Sequence, residues 1–239
     1  MIEQFFTLDT ADGAMPSFVV HPDNGGPHPV VLFQMDAPGM REEIRDMCRR
    51  LASAGYYVMT SQLYYRDVEA YNVFETGDRD RMFELMGNLS NAMAAADAVA
   101  LVDYAKADDA ADASSVGVVG YCMSGPFSIA VAAAMPDVVK AAASVHGVRL
   151  VTDEPDSPHL QLADCNAEVY IAAAETDSYA PPEIIDGFEA AMQANSTPGS
   201  VEWYPGTEHG FAYAERPQYD KASSERHWER LHSLFRRNL

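Results

Sequence analysis

Val116-Gly117-Val118-Val119-Gly120-Tyr121-Cys122-Met123-Ser124-Gly125 is the stretch on which the fold turns. Its first four residues make a short apolar run, mostly β-branched, of the kind a strand buried on both faces of a parallel sheet requires. The Ala-rich stretch from Phe127 to Met135 reads as the following helix. A reactive residue on the sharp turn between them has a strained backbone and a helix packed close behind it, so its neighbours must be small. Gly120 and Ser124 flank Cys122 at minus two and plus two. The pattern is that of a nucleophile elbow and points to hydrolysis.

The reactive form of such a cysteine is the thiolate, which a helix N-terminus and a neighbouring imidazole favour. Cys48 and Cys165 read instead as small buried hydrophobes. Cys48 lies beside the stripe Met40, Ile44, Met47, Leu51, which marks one face of a helix ending at Gly55.

Working outward, parallel βα units surround the elbow. Val30 to Phe33 is read as a buried strand, Arg41 to Ala54 as a helix and Tyr56 to Met59 as the next strand. Ser90 is placed as N-cap of a helix through Tyr104. Strands are expected at Val138 to Val145, Glu168 to Ala174 and Val201 to Tyr204, with a helix from Pro181-Pro182 to about Met192. A terminal helix carries Trp228, Leu231 and Phe235. Ahead of these units, Glu3 to Thr10 and Ser17 to His21 form a hairpin around Ala11-Asp12-Gly13. The alternation predicts an α/β fold: a mostly parallel central sheet with helices on both faces. The long polar loop from Leu63 to Gly77 leaves a strand at its carboxyl end, where ligands bind in parallel sheets.

With 239 residues, 48% of them hydrophobic, and no Gly/Ser-rich or Pro-rich linker, the chain is expected to fold as a single domain over residues 1–239. Neither a signal peptide nor an 18-residue apolar run is evident, which predicts a soluble, cytoplasmic protein without a membrane partner. Three cysteines without a Cys-x-x-Cys pair argue against a disulfide framework and against a zinc site. No His-x-x-x-His and no glycine-rich phosphate loop appears, so no metal or cofactor is expected. The formal charge is −20, with 36 acidic residues against 16 basic ones. Nucleic acid is excluded as a partner, because its phosphates would be repelled. The excess fits either an ordinary acidic cytosolic enzyme or a protein adapted to salt, which screens self-repulsion.

A thiolate nucleophile needs a base, and the base an orienting acid, both later in an elbow chain and acid first. Asp177 follows the strand ending at Ala174, and His209 lies in the loop after Val201 to Tyr204. Cys122, Asp177 and His209 therefore form the expected triad. His146, at the end of the strand Ala141 to Val145, is the rival base, and Glu175 the rival acid. His21, His28, His159, His227 and His232 are expected at the surface. The oxyanion hole would use the backbone N–H groups of Met123 and of Ala37, since Pro38 has none to donate.

These residues resemble the dienelactone hydrolase family of α/β-hydrolases, in which the elbow reads Gly-Tyr-Cys-x-Gly-Gly. Here it stands as Gly120-Tyr121-Cys122-Met123-Ser124-Gly125, and the likeness extends over nearly the whole chain. Leu63-Tyr64-Tyr65-Arg66 looks like the family's strand-exit segment, which implies that Arg66, with Tyr64, binds a substrate carboxylate. Asp36 takes the place of a family glutamate that helps generate the thiolate, and is one methylene shorter. Ser124 replaces a glycine; as a nucleophile it is poorly placed, since it would lie inside the helix with Pro126 at plus two. The resemblance implies carboxymethylenebutenolidase-like hydrolysis of an unsaturated lactone or small ester; the sequence leaves monomer and homodimer both open. A general carboxylesterase or thioesterase, or a binding protein that has lost turnover, are the alternatives on the same scaffold.

Overall fold

The computed structural model describes residues 1–239. Eight strands form one sheet: β1 (Ile2–Thr10), β2 (Gly13–His21), β3 (His28–Gln34), β4 (Tyr57–Ser61), β5 (Ala111–Tyr121), β6 (Val139–Val145), β7 (Glu168–Thr176) and β8 (Gly199–Glu208). The helices between and after them are α1 (Glu42–Ala52), α2 (Val73–Thr76), α3 (Arg79–Gly87), α4 (Asn91–Ala105), α5 (Gly125–Ala134), α6 (Pro158–Gln161), α7 (Pro182–Ala194) and α8 (Lys221–Asn238). The spatial order of the strands is β1-β2-β4-β3-β5-β6-β7-β8. From β4 to β8 every neighbouring pair is parallel, and β1 and β2 form an antiparallel edge. No single helix is long and apolar enough to cross a membrane.

Side chains alternate between the two faces of the sheet, as its pleat demands. Val30 and Leu32 of β3, with Val169 and Ile171 of β7, pack against α4, α5 and α7. Val31 and Phe33, with Tyr170 and Ala172, face α1 and α8. The stripe Ile44, Met47, Cys48 and Leu51 is buried in that second layer, and burial pushes the Cys48 thiol far up. His227, expected at the surface, is also core: α8 turns it inward to within 3.2 Å of the Tyr121 hydroxyl. Burial drives its pKa down to about 3. His21 is likewise buried, stacked on Tyr57 at 5.1 Å.

The strand order reverses beside β3, whose neighbours are β4 on one side and β5 on the other. Connections leaving β3 and β5 therefore run to opposite faces and open a crevice at their carboxyl ends. A third apolar cluster closes this end, with Leu63, Tyr64, Val73, Met82 and Leu85 packed on Met123 and Phe127. The connection from β4 to α4 thus contains two helices: α2 inside the loop expected from Leu63 to Gly77, and α3 beyond it, where no element was read. α3 is short, and its buried Met82 and Leu85 alternate with the exposed Phe83, which blurs the apolar stripe. β5 and β8 also run longer than their apolar runs, because their polar ends pair with β3 and β7.

Candidate active site

Cys122 sits at the turn from β5 into α5 with φ of +54°, a left-handed conformation that costs a side chain strain. Crowding explains the small neighbours. A Cβ on Gly120 would stand 1.9 Å from the Ser124 carbonyl oxygen, and one on Gly125 would stand 2.4 Å from the Gly147 Cα. Ser124 uses the room that glycine would leave. Its hydroxyl accepts the Tyr121 N–H at 2.9 Å and lies 3.0 Å from the Gln34 carbonyl at the end of β3. The side chain is fully buried and works as a tie across the switch point.

Asp177 follows β7 directly and turns back on itself. Its Oδ1 accepts the N–H groups of Tyr179 at 2.9 Å and Ala180 at 3.2 Å. Its Oδ2 accepts from His209 Nδ1 at 2.7 Å. A carboxylate only accepts, so Nδ1 carries the proton and Nε2 is left for Cys122, which lines the same cavity. Burial, the largest influence on His209, works to lower its pKa; hydrogen bonds to Asp177 and then Cys122, with their charges, outweigh it and lift it to about 10. Glu175 is exposed and accepts the Gly206 N–H at 2.7 Å, away from the imidazole. His146 is buried, its ring edge-on to His209 at 4.9 Å with neither nitrogen hydrogen-bonded. Burial holds it far below its ordinary pKa, assisted by the neighbouring His209 and His227.

Asp36 departs from expectation. It is fully buried at the exit of β3, yet none of its hydrogen bonds reaches Cys122. Both oxygens are taken by guanidinium groups, from Arg41 at 2.5 Å and from Arg216 at 2.5 Å. Arg41 continues the chain to Glu43 at 2.7 Å. Two cations and a short side chain hold Asp36 as an anchor for Arg216, not as a partner of the thiol.

Tyr64 and Arg66 also serve elsewhere. The Tyr64 hydroxyl donates to the Ala37 carbonyl at 2.7 Å and touches Met123 Sδ at 3.2 Å, so it braces the two segments flanking Cys122 from behind. Arg66 grips the buried Asp97 of α4 through both terminal nitrogens, at 2.9 and 2.8 Å, and reaches Asp12 of the hairpin turn through Nε at 2.8 Å. A guanidinium so engaged is not free for substrate, and Arg66 does not line the Cys122 cavity.

That cavity holds about 150 Å³ and is bounded by Cys122, His209 and Ala37, with Arg79 and Arg216 as its cations. Arg216 presents a buried Nε–H without a partner, a donor that lacks an acceptor. Neither arginine was legible as a site residue: Arg79 falls in the unread helix α3, and Arg216 lies 180 residues from Asp36. A second cleft of about 240 Å³ adjoins the first, sharing Met86 and Val148, with Met123 in its wall.

A parallel sheet with a strand–turn–helix cysteine, and an Asp–His pair on later strand ends, defines an α/β-hydrolase. The sequence model of the dienelactone hydrolase family matches residues 15–239, and the chain belongs to that family. A protein of Methylorubrum extorquens named "Putative carboxymethylenebutenolidase" is 31% identical over 94% of this chain and 77% of its own. The "Carboxymethylenebutenolidase" of Rhodococcus opacus is 25% identical over 91% of this chain and 84% of its own. A crystal structure of a "Putative Dienelactone Hydrolase" from Klebsiella pneumoniae superposes with a TM-score of 0.89 at 27% identity, covering 98% of each chain. The protein is a hydrolase acting on ester bonds, with a small-molecule ester as substrate.

Proposed function

We propose that this enzyme hydrolyses an unsaturated lactone or small ester that carries a carboxylate, through an acyl-enzyme on Cys122. The observation that carries this reading is the joint lining of one small cavity by Cys122, by a His209 already oriented on Asp177, and by two arginines. The Cys122 thiolate attacks the ester carbonyl carbon, and the carbonyl electron pair moves to oxygen, where the N–H groups of Met123 and Ala37 receive it. Collapse of the adduct breaks the acyl carbon–oxygen bond, and the His209 imidazolium gives its Nε2 proton to the departing oxygen. Neutral His209 then takes a proton from water, whose oxygen attacks the thioester; the thiolate leaves with its electron pair and the acid is released. Asp177 accepts the Nδ1–H throughout.

Arg216 and Arg79 are the groups suited to a substrate carboxylate. Both line the cavity: Arg216 is steadied there by Asp36, and Arg79 stands exposed at its edge. Their local charge also offsets the repulsion that a protein of charge −20 exerts on an anion.

The test is hydrolysis of a carboxylated dienelactone beside an uncharged nitrophenyl ester. Cys122→Ala is expected to abolish turnover of both, and trapping at low pH should yield a thioester on Cys122 in the unmodified enzyme. Arg79→Gln should raise KM for the carboxylated substrate by about tenfold and leave that of the neutral ester almost unchanged, the size expected for a partly exposed charge-assisted hydrogen bond. Turnover that survives Cys122→Ala would overturn the mechanism. Equal effects of Arg79→Gln on both substrates would overturn the carboxylate assignment.

A further inference from the structure

Eight large hydrophobic side chains stand exposed on this molecule, and three of them, Phe74 at 58%, Phe83 at 43% and Tyr179 at 54%, border a single opening, that of the Cys122 cavity. They arrive from three separate stretches: Phe74 from α2, Phe83 from α3 and Tyr179 from the turn after β7. On a surface as strongly charged as this one, a gathering of exposed apolar groups marks a place where something apolar binds. The rim is continuous with the cavity wall, since Met82 and Met86 of α3 lie just inside it. The chamber's 150 Å³ is small. Cavities that enclose a whole ligand commonly hold about 300 Å³ or more, so a substrate filling this one would emerge between the three rings.

We propose that the rim is a subsite for a bulky apolar substituent, of the size of a phenyl ring, on the same half of the ester as the carboxylate. Arginines and aromatic rim belong to one cavity, so the preferred acid is amphipathic: an anionic group held by Arg216 and Arg79, with an apolar body lying against Phe74, Phe83 and Tyr179. The inference rests on the hydrolase reading above. Two rim residues have second duties. Phe74 covers the guanidinium groups of Arg41 and Arg216 at 5.4 and 5.2 Å, and Tyr179 packs edge-on against His209 at 5.0 Å. Phe83 makes neither contact and isolates the effect of the rim.

Two esters that share a leaving group and a charge separate the apolar requirement from the chemistry: the para-nitrophenyl monoesters of succinic acid and of benzylsuccinic acid. The unmodified enzyme should favour the benzyl compound in kcat/KM by about tenfold, a factor of the size that aromatic packing supplies. Phe83→Ser should cut that preference by roughly fivefold. Leu160→Ser, also exposed (53%) but outside the cavity, should leave it where it was. A preference near unity, or one unmoved by Phe83→Ser while turnover still depends on Cys122, overturns the rim proposal and spares the hydrolase reading. Failure to turn over either ester or the dienelactone strikes the hydrolase reading and the rim proposal together. A dimer that Phe83→Ser dissociates, with the preference unchanged, makes the rim a face between copies and also overturns the proposal.

Discussion

The phenol of Tyr64 fixes the peptide that follows the Ala37 N–H, through its 2.7 Å hydrogen bond to the Ala37 carbonyl. A donor to a developing oxyanion works only when it is already aimed, so loosening this peptide should act on the transition state more than on substrate binding. Tyr64→Phe is expected to lower kcat by about tenfold with KM little changed, a smaller loss than deletion of an oxyanion donor itself. His209 carries the pH dependence. Its folded pKa of about 10 stands above its ordinary 6.5. The folded protein therefore binds this proton more tightly than the unfolded chain does, and the stability so gained is complete below 6.5 and lost as pH rises through 10. Melting temperature should decline across that window and turnover should fall near its upper end, where the imidazolium is lost. Asp177→Asn should flatten the first trend and bring the second toward neutrality, as thermal scans and a pH–rate profile would show. The places of Cys122, Asp177 and His209 in the fold could be read from the sequence because each stands at or just beyond a strand end, a purely local signal. The pairing of Arg66, expected at a substrate carboxylate, was not legible, because its partner Asp97 lies 31 residues away and only packing brings the two together.

At the scale of the element, the elbow was legible because its constraints are close in sequence: an apolar strand, small neighbours and an apolar helix. What the motif did not reveal is that Ser124 bonds across to β3. Replacing it by alanine leaves the Tyr121 N–H without its acceptor in a fully buried turn. Ser124→Ala should cost about 1–3 kcal/mol of stability, the range for a buried group deprived of its partner, measured by denaturant unfolding. It should also lower kcat, because the same hydroxyl sets the elbow against the β3 exit that carries Ala37. α3 shows the opposite situation. Nine residues with two buried side chains give too weak a stripe to recognise, yet this helix supplies Arg79, Met82, Phe83 and Met86 to the cavity. Short helices that cover a site owe their form to what they cover, and that is not encoded within their own length.

Across the whole molecule, the acidic excess is only partly matched by ion pairs, and many of those pairs are exposed, as between Arg49 and Asp46 or Lys106 and Asp103. Exposed pairs contribute little, whereas unmatched carboxylates repel over about 10 Å at moderate ionic strength and only about 3 Å in molar salt. Raising salt from low to molar should therefore raise the melting temperature, and a flat response would favour the ordinary acidic enzyme over the salt-adapted one. The sheet order was expected only in outline, since alternation of strands and helices implies parallel pairing but leaves open which strands lie side by side. That order has a further consequence. Cys122, Asp177 and His209 stand at or just beyond the ends of β5, β7 and β8, while Phe74, Arg79, Met82, Phe83 and Met86 all belong to the stretch between β4 and α4. Under the proposed function, most of the substrate-facing wall is thus carried by residues 73–87, with Tyr179 and Arg216 added from beyond β7 and β8, and recombination of residues 73–87 among relatives is expected to redirect the enzyme to new acids while Tyr64 and the reacting groups stay in place.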